Sequence, residues 1–353
     1  MSDFDLSKRL YHLFCASPNS RQISQAYEDV ALGTSIGSYR DENQDRCVFV
    51  EVHFPNGSRP PVRLGIICDG MGGLEEGGIA ASIALSSFIS SFVLSSAGDY
   101  RRRLSDAISA ANQDVADNSN VDRGTTLTAL MIDGRGDAWM AHAGDSRLYQ
   151  LDDNRDLALR STDDTVSGAI RAHRGEENED NLDNQLLQFV GIGQELQPHI
   201  NQLPKQSDTR WLLTSDGAHS IGKQNLLTVI DGGKSHIDVV RKILFMSDAL
   251  DARDNASALF MNGFSSFPKD KSSSGLNILV VTPSERMEFW ISADPAQPEK
   301  KSSPKRSRQQ SKPKAQNAPR QKAEGDDEKR GKSRPKGPQL DISFDEERSG
   351  NAD

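Results

Sequence analysis

Cysteine is scarce, no long apolar run is unbroken, and surplus basic charge is missing. The 353 residues hold three cysteines, Cys15, Cys47 and Cys68, which are scattered and lack C-x-x-C spacing. Neither a disulfide framework nor a zinc site is indicated, and reduced thiols fit the cytosol. A membrane span needs roughly 18 uninterrupted apolar residues. The most apolar region, Ile79 to Ala97, carries seven serines, so a packed helix is expected there. The amino end has Asp3 and Asp5 and no apolar stretch before a small-residue cleavage site, so no secretory signal is read and a cytoplasmic protein is expected. A net charge of −9 argues against a general nucleic-acid binder, which needs a basic surface to displace counterions. The reading is therefore no nucleic-acid partner, no membrane and a monomer.

What is present begins with Leu64-Gly65-Ile66-Ile67-Cys68, an apolar strand that runs into Asp69-Gly70-Met71-Gly72-Gly73. Apolar residues from Ile79 to Phe92 at three- and four-residue spacings then predict an amphipathic helix. Asp99 caps a second helix whose apolar face is Leu104, Ala107, Ile108, Ala111 and Val115. Strands are expected from Ala31, over Cys47–Val50, Leu127–Ile132, Ala138–Ala143, Arg147–Leu151, Arg210–Thr214 and Ala256–Met261, with Leu276–Val281 as the last; those from Leu127 to Leu151 read as a β-meander. Residues 1–26 read as an extension containing a short apolar patch, Leu10 to Phe14, suited to a docked helix. The stretch 161–200 has eight acids against two arginines and belongs on the surface. Residues 293–353 collapse to a charged, Pro- and Ser-containing composition and read as a disordered tail. Within it Leu340, Ile342 and Phe344 alternate among acids, a pattern suited to adding a strand to a partner's sheet edge, with a chance cluster as the bland alternative.

Asp45, Asp69, Asp216 and Asp254 all stand at strand ends, and two of them share an apolar-strand-Asp-Gly context. Convergent carboxylates repel one another unless cations join them. Oxygen ligands without His or Cys suit Mg²⁺ or Mn²⁺. Asp145, between two strands, reads equally well as a turn residue or as a ligand.

These residues fall into ordered motifs. Arg40-Asp41-Glu42-Asn43-Gln44-Asp45, Asp69 through Gly73, Gly124-Thr125-Thr126, Ala143 through Arg147, Ser215-Asp216-Gly217 and Asp254-Asn255 resemble, in order, the motifs of the metal-dependent serine/threonine protein phosphatases of type 2C, the PPM family, in its bacterial branch. The resemblance implies an α+β fold, a four-layer αββα sandwich of two antiparallel β-sheets flanked by helices, over residues 27–292 with a flap at about 152–207. It implies a site in which Asp69 bridges two Mn²⁺ or Mg²⁺ ions, the Gly70 carbonyl binds one, and Asp216 and Asp254 complete the other. Asp45 would hold waters, Arg40 would grip the substrate phosphate, and Asp145 would bind a third, weaker ion. The implied reaction is hydrolysis of phosphoserine or phosphothreonine in a protein, opposing a Ser/Thr kinase, by a metal-bridged hydroxide. The alternative is a pseudophosphatase or scaffold that binds a phosphoprotein without turnover. Three departures stand out: Met71 where many members have His, Gly78 where Glu is usual, and Asp164 in place of the His of the D-H-S motif.

Overall fold

Strands buried on both faces should be apolar throughout, whereas edge strands keep polar side chains. Central and edge strands of this chain divide in that way. The computed structural model describes residues 3–16, 20–71, 76–118, 124–151, 155–174, 185–205, 209–250, 253–263 and 274–292. The tail, including Leu340, Ile342 and Phe344, and the Gly72-Gly73 pair lie outside the described residues.

In chain order the elements are α1 (Asp3–Cys15), β1 (Gln22–Tyr27), β2 (Val30–Ser35), β3 (Arg46–His53), β4 (Val62–Cys68), β5 (Gly70–Met71), α2 (Glu76–Leu94), α3 (Tyr100–Asp117), β6 (Gly124–Thr125), β7 (Leu127–Asp133) and β8 (Ala138–Ala143). They continue with β9 (Arg147–Leu151), β10 (Leu157–Leu159), α4 (Val166–Arg174), β11 (His199–Gln202), β12 (Arg210–Thr214), α5 (Asp216–His219), α6 (Lys223–Asp231), α7 (His236–Ala249), β13 (Ala256–Asn262), β14 (Gly275–Val281) and β15 (Arg286–Ser292). One antiparallel sheet runs β1-β2-β13-β12-β9-β10; the other runs β11-β8-β7-β4-β3-β14-β15.

The two-residue period of a strand sends alternate side chains to opposite cores. In β4, Leu64, Ile66 and Cys68 pack under α1, α2 and α3, whereas Ile67 enters the core between the sheets with Phe49, Leu130, Trp211 and Leu259. On the far side α5, α6 and α7 cover the six-stranded sheet through Leu226, Val240, Leu244 and Phe260. The result is the αββα sandwich. α2 has the length and apolar composition of a membrane span, yet it is the middle helix of its layer, mostly buried under α1, α3 and the sheet. Asp99 caps α3 as expected, accepting a hydrogen bond from the Arg102 N–H at 2.9 Å.

Four expectations need correction. The apolar patch Leu10 to Phe14 does dock as a helix, Leu6, Leu10, Leu13 and Phe14 of α1 being buried in the helix-side core, but the boundary at 26 falls inside the sandwich, because β1 pairs with β2 across it. The polar sequence of β1 reflects its edge position. The meander is only a hairpin, because β7 pairs with β8 but β9 crosses to the other sheet and pairs with β12. β14 is not the last strand; β15 follows it at the sheet edge, exposing Met287 and Trp290 while Phe289 turns inward. Finally, the ends of the 152–207 stretch are integral to the sheets, β10 pairing with β9 and β11 with β8. Residues 152–154, 175–184 and 206–208 of that stretch lie outside the described residues.

Candidate metal centre

Asp69 leaves β4 and is gripped through its backbone. Its carbonyl accepts hydrogen bonds from the Thr126 N–H and the Thr125 hydroxyl, each at 2.9 Å, and its own N–H donates to Thr126 Oγ1 at 2.9 Å. Thr126 Oγ1 also lies 2.7 Å from Ser146 Oγ, so the Gly-Thr-Thr turn ties Asp69 to the loop carrying Asp145. Gly70 permits a close approach: a Cβ there would stand 2.2 Å from the Gly77 carbonyl at the start of α2. Gly144 holds φ +114°, a conformation glycine adopts without strain, and turns the chain from β8 into β9.

Asp216 opens α5 directly after β12, and Asp254 precedes β13, the neighbour of β12 in the same sheet. The carboxyl groups of Asp69 and Asp216 lie within hydrogen-bonding reach of each other. Burial, followed by repulsion from Asp45, Asp216, Asp145 and Asp254, pushes the Asp69 carboxyl well above the usual carboxylate range. Asp216 is raised by burial and by Asp254. Asp145 is pushed up to about 7 by burial and then by Asp216 and Asp163. Asp45, almost fully buried, is also pushed up to about 7, with burial outweighing the hydrogen bond it accepts from Ser215. Its Oδ2 accepts from the Ser215 hydroxyl at 2.7 Å, whereas Oδ1, inaccessible to solvent, has no partner.

The structure thus places Asp45, Asp145, Asp216 and Asp254 within electrostatic reach of Asp69. Arg40 sits exposed at the rim and donates from Nη2 to Asp254 Oδ2 at 2.7 Å. Cys68, beside Asp69, is a fully buried core residue whose thiol burial pushes well above its ordinary value. Among the described residues no three acids are drawn tightly enough to form a ready-made metal cage. The donor chemistry nevertheless fits hard divalent cations: the groups are carboxylates, their charges destabilise one another, and the unpartnered Asp45 Oδ1 retains an open acceptor.

Sequence reasoning gave no role to several residues that shape this floor. Asn255 donates to the Ile36 and Glu42 carbonyls at 2.8 and 3.0 Å and accepts from the Gln44 N–H at 2.7 Å, fastening the Arg40–Asp45 loop to β13. Asp163 binds Arg147 bidentately at 2.9 and 2.7 Å. Asp164 accepts from the Gly144 N–H at 3.0 Å and from His199 Nε2 at 2.8 Å. The adjacency of Asn255 to Asp254 was a usable signal; the Asp164–His199 pairing joins residues far apart in the chain and had none.

No family model matches the chain. The chain is 28% identical over 162 residues to the serine/threonine protein phosphatase PstP of Mycobacterium tuberculosis, an alignment covering 44% of this chain and 31% of PstP. It is 26% identical over 219 residues to a putative protein phosphatase 2C-type of Streptococcus pyogenes, covering 59% and 86% of the two chains. The chain therefore spans about a third of the length of PstP and most of the streptococcal protein. Among solved structures, the S. agalactiae serine/threonine phosphatase superposes with a TM-score of 0.58 at 23% identity, over 66% of this chain and 98% of that one. M. tuberculosis PstP superposes with a TM-score of 0.56 at 21% identity, over 68% and 98%. The fold is that of the PPM phosphatases. The ordered motifs and the curated relatives point the same way, toward the bacterial type 2C phosphatases.

Proposed function

We propose that this chain is a metal-dependent protein serine/threonine phosphatase. The observation that carries the reading is that the backbone-gripped Asp69 has Asp45, Asp145, Asp216 and Asp254 within electrostatic reach, and that burial and neighbouring acids also raise the Asp45, Asp145 and Asp216 carboxyls. Relatives named as serine/threonine phosphatases support the reaction class, and the PstP catalytic domain has been crystallised with two manganese ions.

Asp69, the Gly70 carbonyl, Asp216 and Asp254 would hold two Mn²⁺ or Mg²⁺ ions, Asp45 would orient solvent beside them, and Asp145 would take a third, weaker ion. When bound, the ions lower the pKa of water and stabilise the charge of the phosphoryl oxygens. The protein's own part is placement. Arg40, at the rim, presents a fork suited to a phosphate monoester, which would compete with Asp254 for the guanidinium. The substrate is a phosphoserine or phosphothreonine protein, the product of a Ser/Thr kinase, met by a monomeric enzyme.

The test is hydrolysis of a phosphothreonine peptide with and without Mn²⁺. Turnover that requires Mn²⁺, with Arg40→Ala raising KM and lowering kcat/KM, is the expected result. Saturable peptide binding with no turnover in Mn²⁺ would replace the enzyme with the binding-only alternative.

A further inference from the structure

Arg46 follows Asp45 directly and is largely buried, yet among the described residues it forms no ion pair with a carboxylate. It is satisfied by neutral acceptors instead. Nη1 donates to the carbonyls of Asn43 at 2.8 Å and Asp45 at 2.9 Å, and Nε donates to Ser82 Oγ on α2 at 3.0 Å. The Ser82 hydroxyl in turn donates to the Gly78 carbonyl at 2.7 Å. One guanidinium thus bolts the backbone of the Asn43–Asp45 loop to the first turns of α2, the helix whose Gly77 abuts Gly70. Position 78 is part of this arrangement: a Cβ there would stand 2.9 Å from Arg46 Nη2. The glycine that departs from the motif at this position leaves the space that the guanidinium fills.

Burying a guanidinium is costly unless its donors are met, so a seat that meets Nε and both donors of Nη1 with neutral acceptors signals a geometric role. Asp45 is then fixed at two points, by Ser215 at its side chain and by Arg46 at its carbonyl, while Asn43 Oδ1 accepts from the Asp45 N–H at 3.1 Å. We propose that Arg46, seated against Gly78, is a positioning residue that sets Asp45 relative to the Asp69-Gly70 turn and thereby tunes divalent-cation binding. The inference rests on the di-metal reading above and concerns residues outside the ligand set.

Two variants test it on the full chain. Arg46→Lys keeps the charge but cannot span three acceptors; Gly78→Ala keeps Arg46 and adds one methyl that displaces Nη2. Mn²⁺ affinity is read by calorimetry, the Mn²⁺-induced rise in Tm by scanning calorimetry, and kcat and KM with p-nitrophenyl phosphate. Both variants should weaken Mn²⁺ binding about fivefold or more and lower kcat with little change in KM, the pattern of a lost transition-state arrangement. In a helix, alanine is intrinsically favoured over glycine, so propensity alone predicts that Gly78→Ala stabilises the protein. Variants that fold and match wild type in Mn²⁺ affinity and kcat overturn the inference, even if their Tm in EDTA is lower. If Arg46→Lys does not fold, Gly78→Ala decides by the same criterion. A wild type that binds no Mn²⁺ overturns the di-metal reading, and this inference with it; a wild type that binds Mn²⁺ beside unchanged variants overturns only the inference.

Discussion

The Asp69 turn and the Asp145 turn are joined by the Thr126–Ser146 hydroxyl pair, but they are supported in different ways. Asp69 is held by three hydrogen bonds to its own backbone, and its neighbour Gly70 sits backbone to backbone on Gly77. The Asp145 turn rests on Asp164, which answers Gly144 twice: the Asp164 N–H donates to the Gly144 carbonyl at 2.8 Å and its carboxylate accepts from the Gly144 N–H at 3.0 Å. Asp164 is itself steadied by His199 on the edge strand β11. A support made of backbone and glycine contacts leaves little freedom to drift. A support made of a side-chain pair at a sheet edge is softer and open to titration.

The largest effect should separate the two turns by activity. Asp69→Asn removes the charge that would be shared between the two proposed ions and should reduce kcat by roughly 10³-fold, the scale of losing one well-placed electrostatic group. Asp145→Asn, measured alongside in saturating Mn²⁺, should cost less than about tenfold by the same reasoning. Equal losses would erase the distinction between the turns.

Stability comes next. Gly70→Ala forces a Cβ to within 2.2 Å of the Gly77 carbonyl, so α2 or the turn must shift. The expected cost is about 3 kcal/mol, the upper range for overpacking, read from urea unfolding in EDTA. Thr126→Val removes the partner of the Asp69 N–H and of the Ser146 hydroxyl and should cost about 1–3 kcal/mol. A Gly70→Ala protein as stable as wild type would mean the close approach is not a constraint.

The acids also make a pH prediction. Asp45 and Asp145 are raised to about 7 in the fold, above the ordinary value of about 3.9 for an unfolded chain. The folded state then binds more protons than the unfolded one between those values, so metal-free stability from these groups is full below about pH 4 and falls as pH rises through about 7. In EDTA the urea midpoint should be higher at pH 5.5 than at 7.5, and Mn²⁺ should raise it more at 7.5. Asp45→Asn with Asp145→Asn should flatten the dependence; an unchanged slope would remove both acids as its source.

How far the sequence could be read follows the same division. Apolar strands ending in Asp-Gly, the Asp99 cap and the G-T-T turn are local signals, and the structure puts them where they point. β1 and β15 were overlooked because edge strands need only one buried face, which Gln22–Tyr27 and Arg286–Ser292 supply weakly. The crossing of β9 to the second sheet was not legible, since alternation of side chains is the same whichever sheet a strand joins. Arg46 with Gly78, and Asp164 with His199, depend on residues brought together only by the sandwich.

The smallest effect belongs to that last pair. His199 Nε2 donates to Asp164 Oδ1 at 2.8 Å, and this bond raises the imidazole above its ordinary value against a smaller loss from burial. His142, whose ring centroid lies 5.7 Å away, is fully buried and held below its ordinary value, so it stays neutral and does not oppose the charge on His199. A histidine raised in the fold stabilises fully below its unfolded pKa of about 6.5, and the contribution is lost as pH rises through the folded value. His199 is 39% exposed at its side chain, so solvent screens the pair and the gain is modest. His199→Gln should therefore lower Tm slightly at pH 6 and by less at pH 8.5, with Asp164→Asn abolishing the difference between the two pH values. A Tm gap between wild type and His199→Gln that is the same at both pH values would show that the ring acts by packing alone, and the Asp145 turn would then be no more sensitive to pH through its support than the Asp69 turn.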